Sequence, residues 1–294
     1  MSHPLPRRSV LRLMLACPAL AADLRASSSA AADAGESGLV DVNASLFHWP
    51  FRRLPDDEPG LLAARLRKLG FHQAWAGSYE ALLHRDPDTV NSRLTDACER
   101  HGGGLFRPVG CVNPALPGWE ETLRRCAEKH AMHAIRLHPN YHGYTLEDPA
   151  FERLLALAAQ AGLLIQLAAS MEDTRTQHPL AHVPDVDLRP LPDLLSGHPQ
   201  ARLMLLNHRP AAAVTAPLAA LPNVWFDTAR TEATDGVARL VALAGRERVV
   251  FGSHAPFLIP EAALIRVEEA MLAGLPEADA AALLGANAAR LAAR

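Results

Sequence analysis

The sequence predicts a single (β/α)8 barrel, an α/β fold of the TIM type, and three observations carry the prediction. Short apolar runs bounded by Gly, Pro or polar residues recur eight times after residue 38. Amphipathic stretches of helix length separate them, the order expected of a parallel sheet wrapped in helices. The stretch from residue 38 onward, about 255 residues, is an ordinary barrel length. A doubly wound open sheet is the alternative, and it loses ground because no Gly-rich phosphate loop follows the first strand.

Strand one is expected at Leu39–Asn43. A long loop from Asn43 to Pro59 follows, then a helix over Glu58–Leu69 with Leu61, Leu62, Leu66 and Leu69 on one face. Strands two, three and four are expected at His72–Ala76, Leu105–Val112 and Ala134–His138. Asp148-Pro149-Ala150 caps a helix that runs to Ala161, with Pro in the permitted first turn and Gly162 as the stop. Strand five is Leu163–Ala168, and a second long loop, Ala169 to Pro190, carries Glu172, Asp173, Arg175, His178, His182, Asp185 and Asp187. Strands six, seven and eight are Arg202–Asn207, Val224–Asp227 and Val249–Gly252, and a stretch from Pro276 to Leu291 closes the outside. Both long loops leave the carboxyl end of a strand, the end at which barrels carry their chemistry.

Residues 1–37 read as an export signal and linker rather than as fold, leaving 38–294 for the barrel. Arg7-Arg8-Ser9-Val10-Leu11-Arg12 resembles a twin-arginine signal, the apolar run Leu13–Ala22 is too short to span a bilayer, and a Ser/Ala/Gly linker follows. A periplasmic location is the expectation; a lipoprotein at Cys17 and a cytoplasmic chain are the alternatives. Cys98, Cys111 and Cys126 are an odd number without metal-like spacing and read as small buried side chains. A net charge of −3 and the lack of a basic, aromatic-studded stripe argue against nucleic acid. No integral membrane segment is expected in the mature chain, the partner is expected to be a small-molecule substrate, and oligomeric state is not readable.

Several fragments together resemble the amidohydrolase-related family of barrel hydrolases and decarboxylases: Val40-Asp41-Val42-Asn43, Ile135-Arg136-Leu137-His138-Pro139, Tyr144-Thr145-Leu146-Glu147-Asp148-Pro149, Phe251-Gly252-Ser253 and Asn287-Ala288-Ala289-Arg290-Leu291. The resemblance spans Leu39 to Leu291 and implies a metal site fed by a His-x-His pair on strand one, a His on each of strands five and six, and an Asp on strand eight. The matching positions here are Asn43 and Ser45, Gln166, Asn207 (or its neighbour His208) and His254. Carboxamides are poor zinc ligands beside imidazole or carboxylate, so no cofactor is expected and a divalent metal such as zinc is the alternative. A relocated metal site would draw on His138, His142, His178 or His254, although Pro139-Asn140 and Gly143 make the His-x3-His spacing part of a loop.

The polar replacements suggest retained hydrogen bonding, and the family includes lactone hydrolases that work without metal. The expected function is hydrolysis of a small polar ester, lactone or amide. His254 would be the base, His138 a second catalytic group, and Asn43, Gln166, Asn207, Arg136, Arg175, Glu172 and His178 would bind substrate. The alternatives are a metal-dependent decarboxylase and a non-catalytic ligand-binding barrel. Period-two alternation puts Arg136 on the same face as His138, and Asp41 on the same face as Asn43, so Arg136 and Asp41 are expected to lie close together. A mouth plugged by Trp49, Phe51 or Phe257 would favour the non-catalytic barrel. No nucleophile elbow, phosphate loop or dinucleotide fingerprint is present.

Overall fold

The computed structural model describes residues 38–293; the expected export signal and linker lie outside them. Eight parallel strands form the barrel: β1 (Leu39–Leu46), β2 (Phe71–Ser78), β3 in two pieces (Phe106–Pro108 and Gly110–Cys111), β4 (Ala134–Leu137), β5 (Leu164–Ala168), β6 (Arg202–Leu206), β7 (Val224–Asp227) and β8 (Val249–Val250). β3 is broken at Val109, whose N–H still bonds Ala76 O at 2.9 Å and keeps the ladder continuous. The barrel closes through Val42 N to Phe251 O and Ser45 N to Ala255 O, both 2.9 Å, and a parallel bridge between Ala44 and Ala255.

The outer helices follow the strands in turn: α1 (Pro59–Lys68), α2 (Pro87–Gly102), α3 (Trp119–Glu128), the single turn α4 (Pro139–His142), α5 (Pro149–Gln160), α6 (Leu191–Gly197), α7 (Ala212–Ala219), α8 (Gly236–Ala244) and α9 (Pro260–Leu272). α5 begins as its sequence predicts: Asp148 Oδ1 accepts from Ala150 N at 2.9 Å, Pro149 occupies the first turn, and Gly162 takes a φ of +68° just past the end. Among the described residues no helix is long and apolar enough to cross a membrane.

Three local expectations change. α1 buries Leu62, Ala63 and Leu66, while Leu61 is 57% exposed because one residue turns about 100° around a helix. The Pro139–His142 segment, expected as a loop, is a helical turn with His142 N bonded to His138 O. The expected helix over Pro276–Leu291 is instead α10 (Glu277–Ala281), a π turn (Ala282–Ala286) and α11 (Asn287–Ala292). There the Leu283 carbonyl accepts from Phe251 N at 2.9 Å, and the Asn287 amide donates to Val249 O at 2.7 Å. Bonding to the end of β8 competes with a regular ladder.

The main core lies between the strands' outer faces and the helices, with Ile135, Leu137, Ile165, Leu167, Leu203, Leu205 and Phe226 among its buried members. The alternate residues Val40, Ala134, Leu164, Met204, Trp225 and Val250 form a separate cluster that fills the barrel. Cys98, Cys111 and Cys126 are free and buried, and burial pushes the Cys98 and Cys111 thiols up to about 12. They are packing residues, with no thiolate available at neutral pH.

Candidate active site

Next along the inward faces comes a polar layer. Arg136 and Gln166 are paired in register on β4 and β5, and Arg136 Nε donates to Gln166 Oε1 at 2.9 Å. Gln166 Nε2 donates to Val42 O, also at 2.9 Å. Asn43 Nδ2 donates to Asn207 Oδ1 at 2.8 Å and to Asp227 Oδ2 at 2.6 Å. Asp227 Oδ1 accepts from Asn207 N at 3.0 Å. An irregular register between Asp41 and Ala44 frees β1 carbonyls to face inward. The layer is tightly packed: a Cβ on Gly252 would stand 2.6 Å from Asp227 Oδ2 and 3.1 Å from Asn43 Cβ.

Arg136 and Asp41 sit near enough for each charge to be felt by the other, but they form no ion pair. The guanidinium is taken by Gln166, Ser45 and backbone carbonyls, while Asp41 accepts from Ser253 N at 3.0 Å, from the Ser253 hydroxyl, and from Asn43 N. Burial lowers Arg136 to about 10 and raises Asp227 to about 7; it also raises Asp41. Asp227 was missed by sequence reasoning, although alternation along Val224–Asp227 places it on the face of Trp225 at the strand's carboxyl end.

His138 and His254 stand at the carboxyl ends of β4 and β8. Both are buried, and their Nδ1 atoms have no hydrogen-bond partner. His254 Nε2 lies 2.9 Å from Met171 O, so Nε2 carries the proton and Nδ1 the lone pair. Burial pulls His254 down to about 3 and His138 well below its ordinary value, so both rings are neutral at pH 7. His254 has a φ of +59°, a left-handed backbone that turns the chain back across the mouth.

The mouth is closed over these groups. Trp49, from the loop after β1, is 2% exposed. Its ring packs against Phe257 at 5.0 Å, Tyr79 at 5.3 Å, Phe51 at 5.7 Å and Tyr141 at 6.2 Å. Arg52 pairs with buried Glu172 and lies 4.9 Å over the Phe257 ring, which ties the loops after β1, β5 and β8 together. His178 stacks on Phe51 at 6.2 Å. Arg175 turns away to Asp173 at 2.9 Å with 86% of its side chain exposed. The structure therefore gathers Asn43, Gln166, Asn207, Arg136, His138 and His254 inside the barrel and leaves Arg175 outside. Glu172 and His178 belong to the lid. His208 leaves the ring for Thr215 Oγ1, at 2.8 Å.

A closed (β/α)8 barrel with a polar layer at its carboxyl end defines the class of protein. The amidohydrolase family profile matches residues 40–291, and the chain belongs to that family. Among curated protein sequences none matches. Solved structures similar to it include 2,6-dihydroxybenzoate decarboxylase from Rhizobium, with a TM-score of 0.67 at 12% identity, covering 87% of this chain and 99% of that one. Dihydroxybenzoic acid decarboxylase from Polaromonas sp. JS666, with bound manganese and 2-nitroresorcinol, gives 0.66 at 12% over 87% and 97%. A variant of 5-carboxyvanillate decarboxylase from Novosphingobium aromaticivorans, also with bound manganese, gives 0.67 at 11% over 88% and 98%. At such identities the likeness is one of fold.

The residues here do not fit a metal of that kind. Asn43 and Gln166 direct their amides at protein partners, Ser45 Oγ accepts from Arg136 at 3.1 Å, and a guanidinium stands among them. Among the described residues, the one group of three His, Cys, Asp or Glu side chains with convergent ligand atoms is His48, Asp57 and Glu58 on the outer rim. Arg53 already binds its carboxylates, at 2.7 Å for Asp57 and 3.3 Å for Glu58. His138, His142, His178 and His254 form no such group.

Proposed function

We propose that this chain is a metal-independent member of the amidohydrolase family whose barrel mouth is a closed, non-catalytic core. One observation carries the reading: Asn43, Arg136, His138, Gln166, Asn207 and His254 are each 3% exposed or less, beneath Trp49. A catalytic site needs a space for the reacting atoms beside its acid and base. Here the polar layer is filled by its own hydrogen bonds and the lid by aromatic rings. Decarboxylation, the activity named for the manganese-containing neighbours, has no metal-ligand set to rest on here. Room for a small molecule lies instead at the rim, where a mostly apolar cavity of about 340 Å³ beside the ends of β5 and β6 is lined by Val186, Leu188, Val214, His208 and Arg189 among others.

A second reading, metal-free hydrolysis of a lactone or activated ester, is favoured by one feature. His254 is a neutral imidazole with its tautomer set by Met171 O and an unpartnered Nδ1 lone pair that regains basicity when water reaches it, and His138 has an unpartnered Nδ1 as well. It requires the Trp49 lid to lift.

The test is elemental analysis of the protein purified without added metal, followed by assays on lactones, aryl esters and dihydroxybenzoates with and without manganese. The expected result is substoichiometric metal and no turnover. Manganese-dependent decarboxylation or one tightly bound metal per chain overturns the proposal. Metal-free hydrolysis that disappears in His254→Asn replaces it with the second reading.

A further inference from the structure

Arg136 is a buried cation without an ion-pair partner among the described residues, a costly arrangement unless every donor is used. A guanidinium has five N–H groups. All five are placed. Nε donates to Gln166 Oε1 at 2.9 Å, Nη1 to Ala44 O at 2.9 Å and Ser45 Oγ at 3.1 Å, and Nη2 to Val42 O at 3.4 Å and Trp75 O at 3.5 Å. The acceptors come from β1, β2 and β5, and the cation from β4. Gly77 on β2 completes the fit: a Cβ there would stand 2.7 Å from Nη1 and 3.0 Å from Cζ. Two of the acceptors, Ser45 and Gln166, occupy positions that match metal ligands in the resembling family.

We propose that Arg136 is the resident cation of this barrel. Its guanidinium ties β1, β2 and β5 to β4 from within, among residues two of which, Ser45 and Gln166, match metal-ligand positions of the resembling family. The five oxygens around it constitute a latent cation site that opens when the side chain is cut back. An all-oxygen set of two side-chain atoms and three carbonyls suits a guanidinium or a hard cation and does not suit zinc. The inference does not depend on whether the barrel is catalytic.

The experiment compares melting temperatures of the wild type, Arg136→Ala, Arg136→Met and Arg136→Lys. Each is measured with chelator, with manganese, with zinc, and with millimolar methylguanidinium. The wild type is expected to respond to none of them. Arg136→Met leaves the oxygens facing an apolar chain and should melt roughly 10 °C lower. Arg136→Ala should melt as low, and methylguanidinium should raise it in a concentration-dependent way while leaving Arg136→Met unmoved; zinc should raise neither. Arg136→Lys, a cation with fewer donors, should fall between wild type and Arg136→Met.

The proposal is overturned if the wild type is stabilised by manganese or destabilised by chelator, or if Arg136→Met melts within about 2 °C of wild type. A folded Arg136→Ala that ignores methylguanidinium removes the latent site. If Arg136→Ala does not fold, the order of Arg136→Lys above Arg136→Met decides, and equality of the two refutes the resident cation. Turnover by the metal-free wild type would end the non-catalytic reading and leave this one standing.

Discussion

Two layers of the barrel interior are equally buried and differently satisfied. In the lower one, Arg136, Gln166, Asn43, Asn207 and Asp227 bond to one another, to Ser45, to carbonyls of β1 and β2, and at longer range to the sulfurs of Met171 and Met204. In the upper one, His138 and His254 each leave an Nδ1 unpartnered beneath an aromatic lid. Buried polar groups in native proteins are nearly always paired, so a saturated layer is explained by stability alone. An unpaired one holds spare capacity. Residual reactivity would therefore reside with the two imidazoles, while Asn43, Ser45, Gln166 and Asn207 are held in the framework of hydrogen bonds.

The largest effect expected from this contrast is at Gly77. Gly77→Ala drives a methyl group into the guanidinium, which its own hydrogen bonds to Gln166, Ala44, Ser45, Val42 and Trp75 hold in place. Displacing Arg136 would break several of its five bonds together and should cost about 3 kcal/mol or more, read by urea unfolding. A loss below about 1 kcal/mol would mean that the layer is loose and the contrast mistaken. Next comes Asn43→Ala, which strands Asn207 Oδ1 and Asp227 Oδ2 and should cost about 2 kcal/mol. It should also raise Asp227 further, because the Asn43 hydrogen bond is the largest influence holding that carboxyl down.

The sequence made the barrel legible because strand and helix periods alternate from residue 38 onward, and it made Arg136 legible because alternation along Ala134–His138 puts it on the face of His138. Its partner was not legible. Pairing with Asp41 assumes a regular β1, and the irregularity between Asp41 and Ala44 offers carbonyls in its place. The lid was half legible. Trp49 and Phe257 stand out in their loops, but Tyr79, Tyr141 and Met171 join them through contacts between residues far apart in the chain, which no local pattern announces. Asp227 was not legible because it closes a strand of four residues that carries none of the family-like fragments.

The upper layer gives a pH-dependent effect of moderate size. His254 titrates near 3 in the folded protein against an ordinary 6.5, so the unfolded chain binds its proton first. The stability this neutral ring contributes is lost as pH falls below 6.5, at up to about 1.4 kcal/mol per pH unit. Asp227 has the opposite sign: raised to about 7 from 3.8, it favours folding at low pH and withdraws that support as pH rises through 7. His254→Asn, which tolerates the left-handed backbone, removes one histidine from this balance. Relative to wild type it should gain stability steadily as pH is lowered from 6.5 to 3. Unfolding free energies of the two proteins that run parallel across that range would show that His254 is protonated in the folded barrel and that the upper layer is wetter than its burial implies.

The smallest effect is expected outside both layers. Arg175 was a candidate for holding a carboxylate, since its loop leaves the mouth, and Asp173 stands two residues before it. Arg175 donates to Asp173 from Nε at 3.0 Å and from Nη2 at 2.9 Å, with most of the side chain in solvent. An exposed pair within one loop is screened and adds little to folding. Arg175→Ala should therefore leave the melting temperature unchanged. A clear drop in the melting temperature of Arg175→Ala would show instead that the pair with Asp173 stiffens the loop after β5 and that this loop is part of the closed lid.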